Sequence, residues 1–279
     1  MTAYVRAHSL EEALGHLARA PARILAGGTD VYPALVDRRL REPILDLTGV
    51  PGLRGISREA DGFRIGALTT WSDVIRADLP GSFDGLKLSA REIGGVQIQN
   101  AGTVAGNICN ASPAADGTVA LLALDADIEV QGARGIRRMG LADFVLGPRR
   151  TALEPGEIVT AVHVPAPDER GASDFLKLGA RHYLVISIAM VSAVIHVDDE
   201  GHVSRAGVAV GACSPVARRL PALEARLIGR SDRFAGALEA DDLDVLSPIS
   251  DVRASAQYRR DAAFTLVRRS LQACEDALR

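Results

Sequence analysis

Two runs of glycine, alanine and short polar residues carry the clearest ligand-binding chemistry in this sequence. The longer run, residues 99–116, reads QNAGTVAGNICNASPAAD, and a shorter upstream run, residues 25–30, reads LAGGTD. Glycine has no Cβ, so the backbone N–H groups of both runs can approach a bound molecule closely. The longer run does not read as an ordinary amphipathic helix, and it therefore predicts binding through the backbone.

A dinucleotide pyrophosphate is the ligand that this chemistry fits best. Its oxygens need several N–H donors, and a strand–turn–helix unit supplies them, because the unpaired N–H groups and the dipole of a helix N-terminus favour an anion. Residues 27–30 would form one such turn and residues 102–107 the second, while Asp116 is placed to accept hydrogen bonds from ribityl or ribose hydroxyls. One AGGTD run alone could equally be a tight turn, whereas two runs in this order favour a binding site.

Other catalytic and metal-binding patterns are absent from the sequence. It contains no G-x-S-x-G, H-E-x-x-H, P-loop or G-x-G-x-x-G motif, and its six histidines are scattered. The three cysteines, Cys109, Cys213 and Cys274, lie far apart. This spacing argues against an iron–sulfur cluster or structural zinc held by this chain alone and indicates a reducing compartment. We therefore predict no catalytic side chain and no metal ligand.

The bulk composition is that of a globular protein. The chain has 279 residues, of which 47% are hydrophobic and 24% charged, enough for one large or two modest domains. A net charge of −3 argues against nucleic acid as a partner. The N-terminal residues lack the apolar region of an export signal, and no apolar run is long enough for a membrane span, so we expect a cytoplasmic protein.

The elements before residue 165 must position the two runs. Ser9 and Glu12 form a capping box for a helix that ends at Pro21, and a strand over 23–26 leads into the first turn. Thr29 or Asp30 would then cap a helix through Leu40. The other strands predicted here are 44–47, 63–67, 127–131, 136–139 and 157–164, and the other helices are one capped by Thr70, 86–93 and 117–124.

The pattern changes after residues 165–171, which contain two prolines and are the best domain boundary. Strands over 174–179, 186–197 and 203–211 follow one another, with a hairpin turn at 198–201. A helix over 221–228 and a long amphipathic helix from Tyr258 to Leu278 close the chain. This order predicts an α+β domain with helices on one face of a three-stranded antiparallel sheet. The apolar face of the last helix would either pack within this domain or dock a partner.

The chain closely resembles the FAD-binding middle subunit of molybdenum hydroxylases, the group of xanthine dehydrogenase, carbon monoxide dehydrogenase and hydroxybenzoyl-CoA reductase. The resemblance covers essentially the whole chain, and the order and spacing of its motifs agree. The motifs are ILAGGTDV (24–31), ILDL (44–47), TVAGN (103–107), NASPAAD (110–116), LEPGEIVTAVHVP (153–165) and FLKLGAR (175–181).

This resemblance implies an α+β protein with FAD as its cofactor. Residues 1–168 would form an FAD-binding domain of the PCMH/vanillyl-alcohol-oxidase type, and residues 169–279 a smaller domain of the CO dehydrogenase flavoprotein C-terminal type. The two runs would line the pyrophosphate, Ile93 would lie against the isoalloxazine, and Val159 and Lys177 would lie near the ring or its edge. The implied cofactor-binding residues are Leu25, Ala26, Gly27, Gly28, Thr29, Asp30, Val31, Ile93, Gly102, Thr103, Val104, Ala105, Gly106, Asn107, Asn110, Asp116, Val159 and Lys177.

The resemblance also implies partner chains. Electrons would come from two [2Fe–2S] clusters on a small subunit and pass through FAD to NAD⁺, a quinone, dioxygen or another acceptor. The substrate would be hydroxylated on a molybdopterin-binding large subunit, and the chains would form a heterotrimer or a dimer of heterotrimers. The chain departs from many relatives at Val185 and Ile186, where an Asp commonly precedes Ile or Tyr, so the acceptor side of the flavin is expected to differ.

Two other functions share this fold or its nucleotide site. A stand-alone flavin oxidase would need its own substrate pocket and usually a covalent flavin link through His or Cys. The first turn here has Thr29 and Asp30 where such a His often lies. The second alternative is a non-catalytic nucleotide-binding or assembly protein that has lost its flavin.

Overall fold

A computed structural model describes residues 4–36, 41–166 and 170–279. Within them the helices and strands before residue 166 are, in order, β1 (Tyr4–Arg6), α1 (Leu10–Arg19), β2 (Arg23–Leu25), β3 (Ile44–Asp46), β4 (Ile56–Glu59), β5 (Gly62–Gly66), α2 (Trp71–Arg76), α3 (Asp84–Glu92), α4 (Val96–Ala101), α5 (Val104–Asn110), α6 (Asp116–Ala123), β6 (Asp127–Gly132), β7 (Gly135–Gly140), α7 (Leu141–Phe144), β8 (Val145–Gly147), β9 (Arg150–Thr151) and β10 (Ile158–Pro165). The elements that follow are β11 (Arg170–Leu178), β12 (Ala189–Val197), β13 (Val203–Gly211), β14 (Arg218–Arg219), α8 (Pro221–Leu227) and α9 (Ala256–Leu278).

A small parallel sheet in the order β1-β3-β2 starts the fold, and the first glycine-rich turn follows directly after β2. The capping box of α1 is confirmed, since the Ser9 hydroxyl accepts from the Glu12 N–H at 3.1 Å. The predicted helix from residue 29 or 30 is wrong over its described part, where a turn and a single 3-10 turn at Pro33–Leu35 occur instead. Residues 31–36 include no buried side chain, so no apolar face stabilises a helix there. Residues 37–40 of that prediction lie outside the described part.

A five-stranded antiparallel sheet, β4-β5-β10-β6-β7, forms the second layer. Its central strand β10 is buried from residue 158 to residue 164. The predicted hairpin over 127–139 is confirmed as the antiparallel pair β6–β7. Phe63, Ile128 and Val162 of this sheet pack in one core with Leu86 and Val119 from the helices beside it. The sheet thereby holds the start of β10 next to the longer glycine-rich run.

The longer run and the three residues before it contain two short helices that the sequence pattern did not predict. α4 and α5 are separated only by Gly102 and Thr103. Thr103 caps α5, because its hydroxyl accepts from the Gly106 N–H at 3.1 Å. The buried residues Val104 and Ile108 attach α5 to the core. Each helix is too short to show an amphipathic period, and packing therefore determines its conformation.

The C-terminal sheet has the order β11-β12-β13-β14. Its three long antiparallel strands confirm the prediction, although β11 starts four residues earlier than predicted and β12 three residues later, and the two-residue β14 adds an edge. β12 is buried along its whole length, with Val191 and Ile195 in the core under α8 and α9 and Met190 and Val194 in the core with α3 and α6. Helices therefore cover both faces, where the sequence predicted one. A strand buried on both faces has a continuous apolar sequence without alternation, so the sequence does not show that helices cover the second face as well.

The apolar face of α9 packs on this sheet. Val267 and Leu271 are buried in the same cluster as Val191 and Leu223. The buried face of α9 therefore packs within the chain, which was one of the two predicted alternatives.

In the part of the chain that the structure describes, no helix has both the length and the hydropathy of a membrane span. The predicted boundary falls between β10 and β11, and its residues 167–169 lie outside the described part.

Candidate functional site

The two glycine-rich turns pack directly against each other. A Cβ added to Gly27 would lie 2.5 Å from the carbonyl carbon of Ala101 and even closer to its oxygen. Gly28 has a φ of +69°, a conformation that favours glycine. Only a residue without a side chain therefore allows the turn after β2 to reach the end of α4. The structure brings together the two runs that the sequence analysis paired.

A network around Trp71 fixes the second turn. The backbone N–H of Trp71 donates to the Gly102 carbonyl at 3.1 Å, and the backbone N–H of Val104 donates to the Thr69 carbonyl at 2.9 Å. The indole is 1% exposed and packs on Gly117, where an added Cβ would lie 2.6 Å from Cζ2 of the ring and closer still to Cη2. The single tryptophan of the sequence thus joins α2, the 102–103 turn and α6. The sequence analysis did not assign it to the site, although the Thr70 cap next to it was a signal.

The turns open into a cleft of about 500 Å³. Most of the predicted binding residues line it. They are Ala26, Gly27, Gly28, Thr29, Asp30, Val31, Ile93, Gly102, Thr103, Ala105, Gly106, Asn107, Asn110 and Val159. The cleft therefore combines N–H-rich turns with apolar side chains in one space.

Several lining residues were missed by the sequence analysis. Besides Trp71, they are Arg23, Ile24, Leu47, Ala67, Leu68, Ile98, Cys109, Leu153 and Ile158. Leu47, Leu153 and Ile158 belong to motifs that carried the resemblance, so the signal was present. Ile98 had no such signal, because α4 shows no helical period.

Four predicted residues do not line the cleft. Leu25 precedes the first turn and Val104 follows the 102–103 turn, and both side chains are buried in the core. Asp116 and Lys177 form an ion pair with an Oδ2–Nζ distance of 2.7 Å, and the Ser187 hydroxyl donates to the other oxygen of Asp116 at 3.0 Å. Burial raises the pKa of Asp116, and the Lys177 ammonium opposes that rise.

The cleft carries little net charge of its own. Its charged lining residues in the described part are Arg23 and Asp30. Arg23 already forms a two-pronged ion pair with Glu42, with N–O distances of 2.9 Å. Among the described residues, the cleft therefore offers an anion backbone N–H groups and hydroxyls rather than a free cation.

Two further side chains define the chemistry of the cleft. The Asn107 Oδ1 is buried and has no hydrogen-bond partner among the described residues, so it fits a hydroxyl or N–H donor of a bound molecule. Burial raises the pKa of the Cys109 thiol to about 12, which keeps the thiol protonated at neutral pH and disfavours attack by it. The residues present thus fit a dinucleotide held without a covalent link.

Comparisons with known proteins agree with this geometry. Residues 1–167 match the family model described as the FAD binding domain in molybdopterin dehydrogenase, and residues 174–274 match the CO dehydrogenase flavoprotein C-terminal domain. The chain is 34% identical over 279 residues to the 6-hydroxypseudooxynicotine dehydrogenase complex subunit alpha of Paenarthrobacter nicotinovorans, covering 96% of this chain and 92% of that one. It is 33% identical over 273 residues to the xanthine dehydrogenase FAD-binding subunit of Escherichia coli O157:H7, covering 95% and 93%.

A solved structure shares the fold over the whole chain. It is carbon monoxide dehydrogenase from Hydrogenophaga pseudoflava, in a form that lacks the Mo-pyranopterin moiety of the molybdenum cofactor. The TM-score is 0.91 at 28% identity, and the match covers 100% of this chain and 98% of that one. The predicted fold, an FAD-binding part followed by a CO dehydrogenase flavoprotein C-terminal part, is confirmed.

Proposed function

The chain belongs to the family of FAD-binding subunits of molybdopterin-dependent dehydrogenases, and we propose that it is the electron-transfer subunit of a multisubunit molybdenum hydroxylase. In this proposal it receives electrons from [2Fe–2S] clusters on a partner chain and delivers them to an external acceptor. The observation that carries the proposal is the cleft at the contact of Gly27 with Ala101, where two glycine-rich turns face one space.

The two turns are proposed to hold the pyrophosphate of FAD. Residues 26–31 and 102–107 line the cleft almost without interruption, and the positions of Gly27 and Gly28 leave no room for side chains. Thr29 and Thr103 add hydroxyls to the backbone donors. Since neither turn carries a free cation, hydrogen bonds from the backbone would supply the binding energy for the phosphates.

The apolar part of the cleft is proposed to orient the flavin ring. Ile93, Ile98, Leu153 and Val159 line it and would exclude water from the ring. A volume of about 500 Å³ lies in the range of small-molecule sites. FAD, when bound, supplies the one- and two-electron redox chemistry, and the chain contributes binding, orientation and a dry environment.

Residues 1–168 would form the FAD-binding domain in this proposal, and residues 169–279 the C-terminal domain. Its partners would be a [2Fe–2S] small subunit and a molybdopterin-binding large subunit, in a heterotrimer or a dimer of heterotrimers. The relative from Paenarthrobacter nicotinovorans is named as a subunit of a complex, which supports an assembly of several chains. The three cysteines are free, which fits a complex in the reducing cytoplasm.

The alternative functions gain no support from the site. A covalent flavin link needs a reactive His or Cys, but the described lining of the cleft contains no histidine, and the raised pKa of Cys109 disfavours attack by its thiol.

The proposal is tested by purifying the full chain alone and with its co-purifying partners. We expect flavin absorbance near ~450 nm that is released by denaturation, together with two companion chains, one of which carries iron and sulfide. Reduced partner complex mixed with NAD⁺, a quinone analogue or dioxygen then identifies the acceptor. A colourless chain that takes up no added FAD would refute the assignment. FAD binding without companion chains would support a lone oxidase instead.

A further inference from the structure

The indole of Trp71 carries a buried donor that the rest of the described chain does not use. The side chain is 1% exposed and lines the cleft. Its backbone N–H is bonded to the Gly102 carbonyl, but no described residue accepts a hydrogen bond from the indole N–H. An indole nitrogen can only donate, and a buried one usually has an acceptor. Within the described chain, the Trp71 indole therefore lacks the acceptor that a buried donor normally has.

The orientation of the ring brings this N–H toward the cleft. Cδ1 of Trp71 lies 3.5 Å from the position that a Cβ of Gly102 would occupy, and Cζ2 lies 2.6 Å from the corresponding position at Gly117. Nε1 is bonded to Cδ1 and separated from Cζ2 by one ring atom, so it lies on the edge that runs from Gly102 to Gly117. Gly102 is among the described residues that line the cleft, whereas Gly117 is not. The Cδ1–Nε1 end of the ring is therefore the end nearest the cleft.

The hydroxyl of Thr29 reaches the same point from the first turn. Its Oγ1 also lies 3.5 Å from the position of a Gly102 Cβ. A Cβ on Gly27 would lie 3.1 Å from the Gly102 Cα, so the two glycine-rich turns meet at Gly102. Two uncharged donors from different elements therefore converge where the two turns meet.

The donors define the acceptor that would fit between them. The described lining of the cleft offers no free cation, because Arg23 is paired with Glu42. A hydrogen bond from a neutral donor to an anionic oxygen is about twice as strong as one to a neutral oxygen. An oxygen of a pyrophosphate therefore gains more from these donors than a ribityl hydroxyl does.

Asn107 does not supply the missing acceptor, although it lines the same cleft. Its Oδ1 is buried and has no hydrogen-bond partner among the described residues. The cleft thus contains a donor and an acceptor that do not pair with each other. Buried polar groups are normally hydrogen-bonded, so both side chains fit a third, bound group.

We infer that Trp71 is a cofactor-binding residue whose indole N–H donates to a pyrophosphate oxygen of FAD, beside the Thr29 hydroxyl. The inference rests on the proposed function, because it takes FAD as the occupant of the cleft. It assigns a side-chain donor to a residue that lies outside both glycine-rich runs. The indole also explains why Gly117 carries no side chain, since the ring occupies that space.

The only tryptophan of the chain makes the test direct. The full chain labelled with ¹⁵N-tryptophan gives one indole ¹H–¹⁵N signal. Saturation with FAD should move this signal downfield and slow the exchange of the indole proton with water by about tenfold or more. A signal that keeps its position and exchange rate in a chain that binds FAD would overturn the inference and leave the proposed function standing. A chain that binds no FAD would instead refute the proposed function itself.

Riboflavin is the matched control ligand, because it has the flavin ring but no phosphate. We expect it to leave the indole signal in place. A shift with riboflavin equal to the shift with FAD would place the N–H at the flavin ring and refute its contact with the pyrophosphate.

A pair of variants separates the hydrogen bond from packing. Trp71→Phe keeps an aromatic ring but removes the N–H, so the FAD dissociation constant should rise about tenfold. Phe83→Leu is the matched control, because Phe83 is fully buried in the same core, packs edge-on against Phe63 and is not among the described residues that line the cleft. It should change FAD affinity by less than about threefold.

Thermal unfolding of the two apo variants shows whether they are destabilised to a similar extent. Equal losses of FAD affinity in both would mean that Trp71 acts only through packing and would refute the hydrogen bond. If Trp71→Phe does not fold, the labelled wild-type chain still decides the question.

Discussion

Replacing Gly27 by alanine tests the contact between the two glycine-rich turns. The new Cβ would lie 2.5 Å from the Ala101 carbonyl carbon and closer still to its oxygen, so the gap falls short of the 3.4 Å of an ordinary contact by more than 0.9 Å. The clashing atoms are backbone on both sides, so one turn must move by at least about an ångström. A shift of that size stretches an N–H···O hydrogen bond from ~2.9 Å to ~3.9 Å, beyond the bonding range.

The expected loss follows from the number of hydrogen bonds that the turn would lose. Two charge-assisted hydrogen bonds at ~1.5 kcal/mol each amount to ~3 kcal/mol, or about a 100-fold rise in the FAD dissociation constant. Overpacking of the turn costs ~1–3 kcal/mol of folding free energy, which lowers the melting temperature by only a few degrees in a chain of this size. Gly27→Ala should thus remain folded and bind FAD weakly.

The FAD dissociation constant is measured by titrating the apo chain with FAD and monitoring the quenching of flavin fluorescence. Far-ultraviolet circular dichroism checks that the variant is folded. Gly147→Ala is the matched control, because a Cβ at Gly147 meets nothing within 4 Å and its φ is not in the left-handed region. If Gly27→Ala binds FAD as tightly as Gly147→Ala, the two turns do not form the pyrophosphate site.

Three further variants probe the cleft and its support. Asn107→Leu removes a buried oxygen that has no partner among the described residues, so FAD affinity measured by titration should fall about tenfold while the thermal stability of the apo chain is unchanged or higher; a loss of apo stability would show that the oxygen has a partner within the protein. Gly117→Ala places a Cβ 2.6 Å from Cζ2 of the Trp71 ring and closer still to Cη2 and should cost ~1–3 kcal/mol in urea unfolding, whereas a neutral result would mean that the indole is free to move. Burial opposes ionisation of Glu129, but a hydrogen bond from Thr160 at 2.7 Å and nearby cations outweigh it and lower the pKa of that carboxyl. Its contribution to stability is therefore present above the unfolded pKa of ~4.3 and is lost as the pH falls through the lower folded value. Thr160→Val should cost about 1.5 kcal/mol at pH 7 and much less at a pH below the folded pKa of Glu129, and an equal loss under both conditions would contradict this account.

The sequence predicted the fold wherever a pattern repeats over enough residues. The hairpin β6–β7 and the strands β11 to β13 followed from apolar runs and turn residues, and the Ser9 and Thr70 caps matched the observed helix starts. Short elements gave no such signal. β14 has only two residues, and α4 and α5 have no amphipathic period. Their conformations come from contacts with distant segments, which no local pattern contains.

The site was predictable in part for a similar reason. The glycines of both turns are visible in the sequence, because a backbone that must approach a neighbour or a ligand cannot carry a side chain there. The walls were less visible, since Trp71 and Ile98 reach the cleft from elements that carry no binding motif. A continuous motif therefore predicts the polar part of the cleft better than the apolar part.

The Asp116–Lys177 pair shows how a motif can predict the residue without predicting its contact. The resemblance places both side chains at the cofactor, and the structure also joins them to each other across 61 residues of sequence. A local signal for a buried partner was present, because Lys177 interrupts the apolar segment FLKLG of a strand, and a lysine is almost never buried unless it is paired. Asp116 was the fitting partner, since an acid at the start of an apolar helix must also be compensated. Two charged residues that each lie in an apolar element therefore predict a pair with each other as well as two ligands.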